Sequence, residues 1–116
     1  MADDVSTEAQ EGGVRRADLR RARARVVGVL VNVVRWAGNL GAALLVIHVV
    51  FTVAGANPDN GITQFVASCA ETLALGFQDL FMPDDPTLAV AVNYGVASLF
   101  WLIATSMAVR ILHALA

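Results

Sequence analysis

Residues 36–58 read WAGNLGAALLVIHVVFTVAGANP, 23 consecutive positions without a charge. Wound as an α-helix at 1.5 Å per residue, the stretch reaches over ~30 Å, the thickness of one bilayer hydrocarbon core. A second uncharged run occupies residues 86–109. Two such runs in 116 residues point to a small all-α membrane protein. A bilayer leaves a chain no other economical way to satisfy its backbone polar groups than helices or a closed barrel. The bulk numbers agree, with 57% hydrophobic residues and a mean hydropathy of +0.63.

The net charge of −2 conceals a strong asymmetry. All eight basic residues are Arg, and seven of them precede Trp36, whereas residues 55–86 hold five acids and no Lys or Arg. By the preference of basic loops for the cytoplasmic side, the N-terminus and the C-terminus lie inside and the acidic connection outside. Arg35 and Trp36 read as an interfacial pair, and Arg110 returns the chain to the same side.

Upstream of the first span, residues 1–14 are polar and acidic with two glycines, and the expectation is a disordered tail. Residues 15–35 are expected to form a cytoplasmic helix. Its first half carries Arg15, Arg16, Arg20, Arg21, Arg23 and Arg25 against one acid, Asp18. Such a cluster fixes topology and attracts anionic lipid headgroups, at about 1 kcal/mol per Arg near the surface. Without interleaved aromatics it gives no case for nucleic-acid binding. Residues 26–34, VVGVLVNVV, are apolar on every side. If the membrane began there, Arg35 would sit near the midplane at a cost of at least ~2.5–3.5 kcal/mol. The aliphatic stretch therefore projects from the core, and Val26, Val29, Leu30 and Val33 are the expected contacts of a homo-oligomer or of a larger membrane protein.

The first span, residues 36–56, contains Gly38, Gly41 and Ala42, small residues at spacings that admit a neighbouring helix. Ala91, Gly95 and Ser98 give the second span, residues 86–109, a matching small seam. In an antiparallel pair, Asn39 falls level with Thr105 or Ser106, and His48 falls within about a turn of Asn93 and Tyr94. His48 reads first as a packing histidine; the alternative is a haem or ion ligand, a second mid-membrane His being absent from the chain. Ala54-Gly55-Ala56 has the small residues of a signal cleavage site, but the apolar region before it exceeds the 7–15 residues of signal sequences. Cys69 is the one cysteine, read as a small buried apolar residue.

Between the spans, residues 57–85 open with Asn57-Pro58-Asp59-Asn60-Gly61, dense turn chemistry. Apolar residues then recur at 62, 65, 66, 69, 73, 77, 80 and 81, predicting an amphipathic helix over residues 62–81 lying at the outer surface. Asp85 and Pro86 suit the cap and first turn of the second span. Residues 110–116 form the cytoplasmic end.

This order of span, Asn-Pro turn, short interfacial helix and span resembles one unit of the YggT family of small bacterial membrane proteins. The resemblance covers residues 48–94 and rests on Asn57, Pro58, Asn60 and Phe65. It implies a bacterial inner-membrane protein tied to envelope processes and brings no catalytic activity with it. The chain carries no Ser-His-Asp set, phosphate loop or metal-spaced cluster, so the expectation is a structural protein and not an enzyme, with no cofactor of its own. The expected fold is a two-span transmembrane helical hairpin with a long Arg-rich N-terminal helix and an amphipathic interfacial helix between the spans.

Overall fold

The computed structural model describes residues 2–115, with side chains from Thr7 onward. Met1, at the head of the expected tail, and Ala116, at the expected cytoplasmic end, lie outside the described residues. The described residues form three α-helices and one 3-10 turn: α1 (Ala2–Val53), α2 (Gly61–Leu73), the 3-10 turn Phe77–Asp79, and α3 (Pro86–Leu115). Both α1 and α3 contain stretches long and apolar enough to cross a membrane, by length and composition.

α1 is a single helix of 52 residues, where the sequence suggested a tail, a basic helix and a span. The expected disordered segment, residues 1–14, is helical from Ala2 onward. Glu8, Ala9, Gln10 and Glu11 are good helix formers, and a helix already nucleated downstream extends without a new nucleation cost. At 1.5 Å per residue α1 accounts for ~78 Å, most of the 83 Å long dimension of the molecule. It ends at Val53, three residues short of the expected boundary, where Gly55 adopts φ +70°.

α3 runs antiparallel to α1, and the contacts fix the register. Gly38 backs onto Thr105, Ser98 Oγ donates to the Ala42 carbonyl at 3.2 Å, and the His48 ring meets Tyr94. Among the buried or half-buried residues of α1, those at 27, 31, 34, 38, 41, 45 and 48 form one line with alternating steps of four and three. Positions 90, 94, 97, 101, 105, 108 and 112 answer them on α3. The α1 line has the heptad spacing of two helices packed at a shallow angle, and the α3 line keeps it apart from one extra step of four between 101 and 105. α3 continues past the expected end at 109 to Leu115, so residues 110–115 are helical; Leu112 is half-buried there, as are Val27 and Val34 of α1, and Val31 is buried. The aliphatic stretch 26–34 is thus covered on one side. Val26, Val29, Leu30 and Val33 stay exposed on the other.

α2 departs most from expectation. Instead of spreading over the outer end of the pair, it turns back and descends alongside it. Thr63 and Gln64 share a cleft with Phe51 and Thr52, Ala67 lies level with His48, and Leu73 reaches 3.7 Å from the Cβ position of Gly41. α2 is therefore antiparallel to α1. The reason lies in which residues it buries: Val66, Ala70 and Ala74, with Leu73 half-buried, while Ile62 and Phe65 of the expected stripe point outward. Ala70 and Ala74 let the α2 backbone sit close against Leu45, Tyr94 and Ala97, and together these five form the buried core. Helix α2 also stops at Leu73 and not at residue 81. Leu75 at φ 54° and Gly76 at φ 93° turn the chain through the left-handed region, which glycine enters freely and leucine only at a cost of about 1–2 kcal/mol.

The small-residue seam is only partly as expected. Gly38 and Ala42 meet α3, but Gly41 faces the side chains of Leu73 and Trp101, Ala91 is half-buried, and a Cβ on Gly95 would have nothing within 4 Å. The helical period carries Gly95 off the contact line that Tyr94 and Ser98 occupy. A Gly95→Ala protein should accordingly be as stable as the parent or more stable by about 0.5–1 kcal/mol, the helix-propensity difference. Thermal unfolding in detergent measures this, and a clear loss would mean that α3 packs through another face.

Candidate functional site

One seam on α3 holds the buried polar side chains Asn93, Ser98 and Thr105. Asn93, 1% exposed, is its centre: the Oδ1 atom accepts from the Phe81 amide at 2.8 Å, and Nδ2 donates to the carbonyls of Gln78 at 3.0 Å and Phe81 at 2.8 Å. One amide side chain thereby satisfies three backbone groups in the irregular stretch after the 3-10 turn. A chain that has left helical geometry needs such partners wherever water is excluded. Sequence reasoning had set Asn93 beside His48. The structure spends it on the loop instead.

Trp101 does the same for the end of α2. Its Nε1 donates to the Leu73 carbonyl at 2.7 Å, satisfying one of the acceptors that every helix C-terminus leaves open. The ring also lies 3.8 Å from the Cβ position of Gly41, so a small residue on α1 makes room for an indole on α3. A Trp101→Phe protein keeps most of the ring and loses the donor. The expected effect is a destabilisation of about 1–2 kcal/mol, with faster amide exchange in the last turn of α2. Unchanged exchange there would show that the capping bond is dispensable.

His48 is half-buried and its ring packs edge-on to Tyr94, with centroids 4.6 Å apart and planes at 62°. It also lines a cleft of about 340 Å³ with Phe51, Thr52, Ala56, Pro58, Thr63, Gln64 and Ala67. Glu71 of α2 lies within electrostatic reach of both His48 and Tyr94. The cleft has one imidazole, two hydroxyls and an amide, enough to hold a small polar molecule. Among the described residues no group of three or more His, Cys, Asp or Glu side chains converges to hold a metal ion. Cys69 is half-buried and borders a shallow apolar groove with Leu44, Phe65 and Leu73.

The loop chemistry read from the sequence is in place. Asn57 Oδ1 accepts from the Asp59 amide at 3.1 Å, and Asn60 caps α2 through the Ile62 amide at 2.9 Å. Asp85 Oδ1 accepts from the Thr87 amide at 2.9 Å, opening α3 at Pro86.

At the far end, Arg15, Arg16, Arg20, Arg21, Arg23 and Arg25 are all exposed on the part of α1 that extends beyond α3. Arg35 and Arg110 are exposed near one level, and Trp36 is 75% exposed beside Arg35. Arg35 shares a groove with Asn39, Thr105 and Ser106. No family model, curated protein or solved structure matches the chain.

Proposed function

We propose that this chain is a two-span protein of the bacterial inner membrane with both termini in the cytoplasm. Its role is structural: a homo-oligomer or an accessory subunit of a membrane complex. The observation that carries the reading is an inverted surface. Leu40, Val46, Ile47, Val50, Leu99, Leu102, Ile103 and Met107 face outward, while Asn93, Ser98 and Thr105 are buried between the helices. Water would favour the opposite arrangement; hydrocarbon favours this one. The level of Arg35, Trp36 and Arg110 suits an inner interface, with the arginines of the projecting arm near anionic headgroups.

With that interface at Trp36, Leu73 lies level with Gly41, only five residues or ~8 Å above it. α2 is then a re-entrant helix that enters from the outer side and leaves through residues 75–81. Irregular backbone at such depth is tolerated only where protein partners satisfy it, and Asn93 and Trp101 are those partners. The side chains of the seam are committed to holding the chain together, which supports a structural role over a catalytic one. His48, spent against Tyr94, fits the same reading.

The test is the mass of the protein in native lipid nanodiscs, with co-purifying chains identified. A homo-oligomer or a stable complex supports the proposal, and a bare monomer overturns the structural role. Visible absorbance of the same sample examines the alternative in which His48 ligates haem, since a haem protein would be coloured. A His48→Ala protein with unchanged assembly is the expected result.

A further inference from the structure

α1 has a second apolar stripe over residues 19–33, on a different face from the one that meets α3; its first half lies on the arm beyond α3 and its second half beside α3. Leu19, Val26, Val29 and Val33 are 64%, 58%, 59% and 58% exposed, and with Ala22 they recur at steps of three and four. The stripe that faces α3 uses Val27, Val31 and Val34, about a third of a turn away. The two stripes share the heptad period, so the arm offers a continuous seam to a further helix over about two heptads.

We propose that the occupant is a second copy of this chain, and that the two arms form a parallel, in-register coiled coil over residues 18–33. The inference rests on the homo-oligomeric reading above and names its interface. Two arms leaving the same membrane on the same side must run parallel, and a symmetric pair must use the same face of both. The charges fit that arrangement. With Leu19, Val26 and Val33 at the first core position of each heptad and Ala22 and Val29 at the second, Asp18 precedes the core and Arg23 follows it. These are the flanking positions that meet across a parallel pair, five residues apart, so Asp18 of each copy faces Arg23 of the other. Arg20 and Arg21 fall outside the seam, and Arg25, the flanking residue one heptad after Asp18, faces Leu30 of the other copy, so the crowded arginines need not oppose each other.

Cysteine cross-linking in native membranes tests this, in a Cys69→Ala background. Oxidation of a Val26→Cys protein should yield covalent dimer severalfold more than an Ala24→Cys protein, whose new thiol lies on the outer face of the arm. Equal yields at both positions, or none at Val26, would overturn the interface. A second measurement avoids any dependence on the new thiol. Asp18→Arg should shift the nanodisc population severalfold toward monomer, and Asp18→Arg combined with Arg23→Asp should restore the dimer. Failure of the double variant to restore it overturns the pairing. An oligomer that forms without the Val26 cross-link would sink this interface while leaving the structural role intact; a monomer would sink both.

Discussion

An Asn93→Ala protein is expected to lose about 3 kcal/mol of stability, the sum of three backbone hydrogen bonds at roughly 1 kcal/mol each. The bonds are well formed, at 2.8, 3.0 and 2.8 Å, and the side chain that makes them is 1% exposed. Water cannot replace it without opening the packing between α3 and the returning chain. Asn93→Asp should be at least as damaging. It keeps an acceptor for the Phe81 amide but turns an oxygen toward the carbonyls of Gln78 and Phe81, where two donors stood. Asn39, exposed on α1, is the control, and Asn39→Ala should stay within about 0.5 kcal/mol of the parent. Hydrogen exchange at the Phe81 amide together with thermal unfolding decides the matter. Slow exchange at Phe81 in the Asn93→Ala protein would mean that the loop is held by something else.

Gly38→Ala is the second large effect. The added methyl would lie 2.8 Å from both Cβ and Cγ2 of Thr105 and would overlap its hydroxyl. Thr105 cannot easily rotate away, because its Oγ1 already donates to the Trp101 carbonyl at 2.6 Å. The helices must therefore separate, and overpacking of this kind costs about 1–3 kcal/mol. Separation also weakens the neighbouring bond from Ser98 to the Ala42 carbonyl. A Gly38→Ala, Thr105→Gly double variant supplies the missing space. It should lose less stability than the two single variants added together, with the coupling of about 0.5–3 kcal/mol expected of residues in contact. Strict additivity would show that Gly38 and Thr105 do not touch.

How far the sequence could be read depends on which physical signal each element used. The long apolar runs announced the helices that became α1 and α3, because length and lack of charge are properties of a segment alone. The register between them was also within reach. Gly38 and Ala42 marked a close approach, and the four-three spacing from Val27 to His48 repeats over three heptads. The path of α2 was not legible in the same way. Its large apolar residues, Ile62 and Phe65, suggested one face, while the face that packs is built from Ala70 and Ala74, whose contribution is proximity and not bulk. A period of 3.6 cannot tell which of two half-apolar faces a helix will bury when the winning face is made of alanines. Leu75-Gly76 carried the signal for the early stop, since a glycine near a helix end favours the left-handed turn. At the seam, His48 and Tyr94 were placed together correctly by counting turns. Asn93 was misassigned, because its partners are backbone atoms of a loop whose course no periodicity describes.

The positions of Asn93 and Trp101 have a consequence for how the molecule comes into being. Both belong to α3, and the groups they satisfy, the Leu73, Gln78 and Phe81 carbonyls and the Phe81 amide, all precede them in the chain. A ribosome therefore delivers residues 73–81 before it delivers the side chains that satisfy them. Until α3 emerges, the Leu73, Gln78 and Phe81 carbonyls and the Phe81 amide lack these partners. The course of the middle of the chain is therefore fixed last, by the helix that follows it.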